Sequence, residues 1–201
     1  MECLRPDVQR RRASYLRRVR RIDPERLVFL DESGMNLAMS RSHAWVKRGE
    51  EFVERVPMNW GGNLTALGAI RLAGWVALTT MFATANKDRF VRWMRVVLLP
   101  KLVAGDVVVM DNLAAHHDER VADACRQRGI KLLYLPPYSP DLNPIEPAWA
   151  LQKQYVRKVA PRSRDALRRV ARRARFRVTP RHCRSWFSHA GYGVNSADPW
   201  G

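Results

Sequence analysis

The first half of the chain consists of short apolar runs separated by turn signals, a pattern typical of β-strands. Five strands are predicted there, and they cover residues 27–31, 44–47, 51–56, 64–70 and 74–80. Ser33-Gly34 predicts a turn after the first strand, and Arg48-Gly49 predicts a hairpin turn between the second and third. This part of the chain therefore predicts an antiparallel meander.

In the second half, apolar residues recur at helical spacing around two further apolar runs. The predicted helices cover residues 87–99, 118–128, 147–159 and 164–177, and the predicted strands cover 107–110 and 131–135. Gly129 is a predicted C-cap of the second helix, and Ser163 is a predicted N-cap of the last. At the start of the chain, an arginine-rich stretch predicts a short basic helix that ends at Asp23-Pro24.

Strands followed by alternating helices and strands predict an α/β fold, with a mixed sheet flanked by helices. Three segments are predicted: a basic N-terminal segment over 1–25, a core over 26–160, and a basic C-terminal helix with an irregular tail from Ala190 over 161–201. Four tryptophans are predicted to lie in the core, namely Trp45, Trp75, Trp93 and Trp149.

The charge of the chain is strongly one-sided. There are 36 lysines and arginines against 19 acidic residues, which gives a net charge of +17 and a pI near 11.0. Such an excess favours a polyanionic partner, above all nucleic acid. A genome-wide bias toward arginine is the alternative, but it does not by itself explain the shortage of acids. Because 46% of the residues are hydrophobic, the chain can build a core, which excludes a wholly disordered protein.

The cysteines and the apolar runs indicate the compartment. Cys3, Cys125 and Cys183 are odd in number and far apart, so they predict neither a disulfide framework nor a zinc site. No apolar run approaches the roughly 20 residues that cross a bilayer, and no signal-peptide core follows the start. We therefore expect a cytoplasmic protein, in a reducing environment, that does not contact membranes.

Three acidic residues are placed where phosphate chemistry would need them. Asp31 and Asp111 each follow an apolar run of four residues, and Glu146 opens a helix after a proline-rich turn. Polar groups directly after buried strands meet at the ligand-binding edge of an α/β sheet. Three carboxylates at one place repel one another unless cations neutralise them, and Mg²⁺ suits such oxygen ligands. The set predicts a divalent-metal site.

Each of these acids has an ordinary interpretation when it is taken alone. Asp31 and Asp111 could form turns or cap helices, as aspartates after strands often do. Glu146 could compensate the dipole of its helix. Their combination with the excess of positive charge is what favours the metal site.

The motifs FLDESG, VVMDN and YLPPYSPDLNPIEPAW together resemble the catalytic core of DDE transposases of the mariner superfamily, in its bacterial insertion-sequence branch. The resemblance covers residues 26–159, and its third motif is the most specific. In addition, 34 residues separate Asp111 from Glu146, a spacing typical of that superfamily.

The resemblance implies a ribonuclease-H-like fold in which Asp31, Asp111 and Glu146 are the catalytic residues and hold two Mg²⁺ ions, with Mn²⁺ as a possible substitute. It implies a transposase that cleaves transposon-end DNA and joins the freed 3′-hydroxyl to target DNA. Two metals about 3.5–4 Å apart suit such an in-line displacement. The resemblance also implies a bacterial homo-oligomer that is associated with the nucleoid when it is bound to DNA.

Further polar residues are predicted to support the site. Asn112 could orient a phosphate or a metal-bound water, and a turn-forming role is an equally good alternative. His116 matches a histidine of many relatives; for it and for His117, DNA contact, proton transfer and a structural hydrogen bond all stay open. Asn143 is expected to shape the proline-rich turn, and Asp141 is expected to cap the helix that follows.

The last predicted helix carries a basic face that we interpret as DNA-binding. Its arginines are Arg164, Arg168, Arg169, Arg172 and Arg173. A solvated charged face is the usual meaning of such a pattern, but few acids lie nearby in the sequence to pair with these residues. Phosphate contacts of this kind supply affinity and salt dependence rather than sequence choice.

The chain departs from full-length relatives in one respect. The residues before the first predicted strand are too few for the helix-turn-helix modules that recognise transposon ends, so a separate helix-turn-helix segment encoded upstream is expected. Two other functions stay open: a truncated, inactive DNA-binding remnant, and a ribonuclease-H-like nuclease that cuts without joining. The complete set of carboxylates favours an active enzyme over the remnant, and SPDLNPIE favours a transposase over the nuclease.

Overall fold

The computed structural model describes residues 2–41, 43, 45–53, 55–57, 61–112 and 117–193. The strands in these ranges are β1 (Leu27–Met35), β2 (Leu64–Arg71), β3 (Gly74–Met81), β4 (Val107–Met110) and β5 (Lys131–Tyr134). The α-helices are α1 (Pro6–Val19), α2 (Lys87–Trp93), α3 (Glu119–Gln127), α4 (Glu146–Val159), α5 (Arg164–Ala174) and α6 (Pro180–His189). Within these ranges, no helix combines the length and apolar character needed to span a bilayer.

The strands form one mixed sheet in the order β3-β2-β1-β4-β5. The first three strands are an antiparallel meander, and β4 and β5 then add in parallel on the other side of β1. This arrangement confirms the predicted mixed sheet flanked by helices. It also makes β1 the central strand, with β3 and β5 at the two edges.

The sheet is covered on both sides, which explains why its central strands are continuously apolar. Leu27 and Phe29 point to one side, where α1, α4, α5 and α6 pack. Val28 and Leu30 point to the other, where α2 and α3 pack. We call these sides the α4 face and the α3 face. Side chains alternate between them along each strand.

The predicted helix ends are mostly confirmed. The Ser163 side chain accepts a hydrogen bond from the amide of Ala166 and caps α5. Asp118 caps α3 in the same way. Gly129 follows α3 with a φ of 68°, a left-handed conformation that glycine adopts without a steric penalty.

The predicted turn at Ser33-Gly34 is wrong. β1 continues through Met35, and Ser33 and Gly34 pair with Ala66 and Thr65 of β2. The hydrogen bonds of the antiparallel ladder outweigh the local turn preference of these two residues.

The predicted hairpin before β2 is only partly present. The amide of Glu50 donates to the carbonyl of Lys47 across a turn at Arg48-Gly49, as expected. The described residues among 45–53 and 55–57 form no strand, however, while positions 44 and 54 lie outside the described residues. Trp45 is fully exposed instead of lying in the core, because no paired strand carries it into the interior. Trp75 is half-buried, and Trp93 and Trp149 are buried as predicted.

Two helical predictions also need correction. The α-helix that begins at Lys87 ends at Trp93, and the chain continues as a π-helical stretch (Met94–Leu98) and a 3-10 turn that contains Pro100. α6 was not predicted, although Thr179 caps it and Pro180 occupies its first turn, which is a recognised start signal. The tail predicted to be irregular from Ala190 begins with a turn at Ala190-Gly191 and has no regular structure at residues 192–193, and the residues after it lie outside the described ranges.

Candidate active site

The pairing of β1 with β4 brings two of the predicted carboxylates together. Leu27 pairs with Val107 and Phe29 with Val109, and the same register continued by two residues sets Asp31 beside Asp111. Asp31 and Asp111 each lie two residues after a residue of the α4 face, Phe29 and Val109 respectively. Because every second residue of a strand points to the same side, both acidic side chains belong to that face. Neighbouring strands lie about 4.8 Å apart, which makes the two acids direct neighbours.

The start of α4 lies beside the same point. Glu146 is the first residue of α4, and Trp149 follows one turn later. The indole Nε1 of Trp149 donates a hydrogen bond to Oδ2 of Asp31 over 3.2 Å. Because residues three apart on a helix share a face, this bond holds the first turn of α4, and with it Glu146, next to Asp31.

A glycine makes room for this contact. Gly68 of β2 pairs with Asp31, on the side of β1 away from β4. A Cβ at position 68 would lie 2.6 Å from ring carbons of both Trp149 and Trp75. These two indole rings pack with their centroids 5.1 Å apart, so the missing side chain of Gly68 allows Trp149 to reach Asp31.

The proline-rich turn that presents Glu146 is fixed by a hydrogen bond within the turn and by hydrogen bonds to other parts of the chain. The carbonyl of Asn143, a buried residue, accepts a hydrogen bond from the Glu146 amide over 3.1 Å. The Tyr15 hydroxyl donates to the Tyr192 hydroxyl over 2.8 Å, and Tyr192 in turn donates to the carbonyl of Leu142. The turn is therefore tied to α1 and to the segment after α6.

An ion pair completes the attachment of the turn and corrects a prediction. Asp141 does not cap α4; its two oxygens accept hydrogen bonds from the Arg12 guanidinium over 2.9 and 2.6 Å. These bonds hold the pKa of the Asp141 carboxyl below its usual range. The two partners are 129 positions apart, which explains why sequence spacing does not indicate this pair.

Burial is the main cause of an unusual acidity at Asp31. The pKa of this carboxyl is raised to about 7, first by burial and also by the negative charges of Glu146 and Asp111. Hydrogen bonds from the Glu32 amide, at 2.8 Å, and from Trp149 act in the opposite direction. Mutual repulsion of this kind is expected for acids that share a site without a cation. Glu32 itself is exposed and, as the next residue of the strand, lies on the other face.

The three acids fit a divalent cation by the chemistry of their donors. Carboxylate oxygens are preferred ligands of Mg²⁺ and Mn²⁺, and each oxygen of Asp31 keeps a lone pair beyond its one hydrogen bond. In the arrangement of the side chains as they stand, no three acidic, imidazole or thiol groups of the described residues converge on a single ion position. Convergence therefore requires rotation of these side chains.

The predicted supporting residues separate into two groups. Asn112 is exposed, and its Oδ1 lies 2.6 Å from Nε2 of His117, whose ring stacks on Tyr134 at a centroid distance of 4.2 Å. His117 thus has the structural hydrogen bond that we considered. Asn143 shapes the turn through its backbone carbonyl. His116 lies outside the described residues.

The predicted DNA-binding arginines divide between two sides of α5. Arg164, Arg168 and Arg172 line a groove of about 760 Å³ beside the edge strand β3, together with Arg175. The guanidinium groups of Arg164 and Arg168 lie 4.2 and 5.1 Å from the centroid of the Phe82 ring. Arg169 and Arg173 are exposed outside this groove.

Some residues that organise the site were missed by the sequence analysis. Trp149 follows Glu146 at helical spacing, so their shared face could have been inferred from the motif. No local signal distinguishes Gly68, Arg12 or Tyr192, because their partners lie far away in the sequence.

Comparison with known families agrees with this geometry. The sequence profile of the family described as DDE superfamily endonuclease matches residues 26–168, which is more than two-thirds of the chain. The chain therefore belongs to the DDE superfamily endonuclease family. No curated protein sequence matches it.

Solved structures confirm the ribonuclease-H-like fold. The Mos1 transposase paired-end complex with left transposon end is 18% identical with a TM-score of 0.67, over 94% of this chain and 64% of that one. The Mos1 mariner paired-end complex with Mn is 15% identical with a TM-score of 0.70, over 93% of this chain and 59% of that one. The Mos1 catalytic domain with Raltegravir and Mn is 14% identical with a TM-score of 0.62, over 93% and 92%. The chain thus spans about three-fifths of the longer Mos1 chains.

Proposed function

We propose that this chain is the catalytic domain of a mariner-type transposase, from the bacterial insertion-sequence branch, and acts in the cytoplasm on nucleoid DNA. It cleaves transposon-end DNA and joins the 3′-hydroxyl to target DNA. The observation that supports this most strongly is the neighbourhood of Asp31, Asp111 and the start of α4 at one end of the parallel strands.

Asp31, Asp111 and Glu146 are the proposed metal ligands and catalytic residues. Two bound Mg²⁺ or Mn²⁺ ions would activate the attacking oxygen and stabilise the leaving oxygen of the displacement. The three carboxylates would supply the negative charge that such ions need, and Trp149 orients Asp31 through its indole N–H. Because the pKa of Asp31 is near 7 without a cation, protons compete with metal at this carboxylate in neutral solution.

DNA is the proposed partner at the arginines of α5. Arg164, Arg168 and Arg172 present cations along one groove, where successive phosphates of a strand could bind. Arg169 and Arg173 extend this basic surface outside the groove. We further propose that the chain acts as a homo-oligomer on DNA and that a separate helix-turn-helix segment recognises the transposon ends.

A strand-transfer assay tests this function. The substrates are a labelled duplex with a free 3′-hydroxyl, taken from the inverted repeats that flank the gene, and a supercoiled target plasmid with Mn²⁺ or Mg²⁺. We expect metal-dependent joining of label to plasmid. Asp111→Ala should abolish joining but keep DNA binding, whereas the control Asp123→Ala, an exposed acid of α3 paired with Arg126, should keep both.

The other outcomes separate the alternatives. Plasmid nicking without joining would indicate a ribonuclease-H-like nuclease. DNA binding without any metal-dependent chemistry would indicate an inactive remnant. If the Asp111→Ala protein still joined the strands, Asp111 would not be a catalytic residue, and the proposal would be contradicted.

A further inference from the structure

A basic groove runs between α1 and the edge strand β5, on the opposite edge of the sheet from the α5 arginines. Its first part encloses about 410 Å³ and is lined by Arg17 and Arg18 of α1, by Arg21 shortly after the end of α1, and by Lys131 of β5. Its second part encloses about 230 Å³ and is lined by Arg11, Asn112 and Tyr134, among others. The two parts share Ser14 and Arg18, so they form one continuous path, which we call the α1 groove.

The cations of the α1 groove have no protein counter-charge in the part of the chain that the structure describes. No salt bridge there involves Arg11, Arg17, Arg18, Arg21 or Lys131. The nearby acids are already engaged, because Asp7 pairs with Arg5 and Asp141 pairs with Arg12. An anion that enters the groove would therefore meet unneutralised positive charge.

The helix that carries these arginines is held rigidly. Val8, Tyr15 and Val19 are buried, and Arg12 is bound to Asp141. The positions of the remaining arginines are thus set by the fold before any ligand binds. Such preorganisation lowers the entropy cost of an electrostatic contact.

The direction of the α1 groove indicates what it binds. One end reaches Asn112, which directly follows the candidate metal ligand Asp111. From Arg11 to Arg18 the helix rises about 10 Å, and this length matches about three nucleotides at 3.4 Å each. The cations therefore form a track of the length of a short DNA segment that ends at the candidate active site.

We infer that the α1 groove binds the phosphate backbone of a DNA strand and leads it to the carboxylates, independently of the α5 arginines at the other edge. This inference rests on the proposed function, because it takes DNA as the partner. A reaction that joins two DNA segments requires two such surfaces around one site.

The test uses the Asp111→Ala protein, so that binding is measured without chemistry. Affinity for a labelled 30-base-pair duplex, a length of about three helical turns, is measured by fluorescence anisotropy at increasing salt. R18Q/R21Q removes two groove cations, and R10Q/R20Q removes two exposed cations, one in α1 and one directly after it, that do not line the groove. Both double variants lose the same charge, so only position differs between them.

We expect R18Q/R21Q to weaken binding about tenfold or more near physiological salt and to reduce the slope of log K against log salt by about two. R10Q/R20Q should weaken it less than about threefold by the same reasoning. Thermal melting of both variants establishes that they fold. A photo-crosslinker at Ser14 should label DNA, whereas one at Gln127, at the end of α3, should not.

Equal weakening by the two double variants, or no weakening by either, would overturn the inference, since binding would then depend on overall charge or on other surfaces. Failure of the Asp111→Ala protein itself to bind any duplex is a different result. It would contradict the DNA partner of the proposed function rather than the location of the groove alone.

Discussion

Two aspartates lie at opposite ends of the parallel pairing between β1 and β4, one buried and one half-buried, and their surroundings differ. Asp106 precedes β4 and is 1% exposed; its Oδ2 lies 2.8 Å from the Arg71 guanidinium, and Arg26 lies 3.7 Å from its Oδ1. Asp31, at the other end, accepts hydrogen bonds from a backbone amide and an indole, and its charged neighbours are acids.

A third aspartate shows what a paired carboxylate does in this protein. Hydrogen bonds from the Arg120 side chain to Asp118 lower the pKa of that carboxyl to about 2. The pKa of Asp31 is raised to about 7. The chain thus neutralises Asp106 and Asp118 with arginine, whereas the hydrogen-bond donors to Asp31 are a backbone amide and an indole. Buried acids whose charge is not compensated cluster at functional sites.

Among variants at these two aspartates, replacement of Asp31 should have the largest effect, and that effect should be a loss of activity. Asp31→Asn keeps the size of the side chain and one of its two hydrogen-bond acceptors but removes the charge that would hold a metal. We expect plasmid nicking in Mn²⁺ to fall at least a thousandfold, about 4 kcal/mol of barrier, with no loss of folding stability. A variant that retained more than a tenth of the activity would contradict the role of Asp31.

The second-largest effect should be a loss of folding stability when Asp106, at the other end of the β1–β4 pairing, is replaced. Asp106→Ala leaves Arg71 and Arg26 without their buried partner and removes the acceptor of the Val103 amide. The free energy of unfolding in urea should fall by about 3 kcal/mol, while the nicking activity of the folded fraction stays unchanged. The control Asp123→Asn, in an exposed pair, should change stability by less than about 0.5 kcal/mol. Loss of activity without loss of stability in Asp106→Ala would contradict the assignment of a structural role to Asp106 and a functional role to Asp31.

Gly68 connects the packing of the sheet to the candidate site. Gly68→Ala places a Cβ against two indole rings and should cost about 2 kcal/mol of unfolding free energy. Displacement of Trp149 should also reduce activity about tenfold, a further 1.4 kcal/mol. Gly34→Ala on β1 is the matched control, since nothing lies within 4 Å of the added carbon. Similar behaviour of both variants would show that Trp149 does not position Asp31.

The pH dependence of stability gives the smallest effect. Because the folded pKa of Asp31 lies above the unfolded value of about 3.9, the folded protein binds the extra proton. This proton on Asp31 therefore contributes to folding stability below pH 4, and the contribution is lost as the pH rises to 7. The melting temperature of Asp31→Asn should therefore exceed that of the unmodified protein by a few degrees at pH 8, and the two should agree near pH 4. A constant difference at every pH would show that Asp31 does not titrate as described.

Sequence patterns were sufficient where a local signal decides the structure. The runs before Asp31 and Asp111 predicted the central strands, and SPDLNPIE predicted the turn before Glu146. The patterns failed where a distant partner decides. Ser33-Gly34 is strand because β2 pairs with it, and Asp141 binds Arg12 instead of capping α4. Likewise, no spacing rule could have indicated that Gly68 accommodates Trp149 beside Asp31.

The central claim is that Asp31, Asp111 and Glu146 together bind divalent metal. Titration of the DNA-free protein with Mn²⁺ at pH 8, followed by electron paramagnetic resonance of the free ion, measures this directly. We expect saturable binding that Asp31→Asn, Asp111→Asn and Glu146→Gln each weaken at least tenfold, about 1.4 kcal/mol, and that Asp106→Asn leaves unchanged. Equal Mn²⁺ affinity in the unmodified protein and in the triple variant would contradict the account.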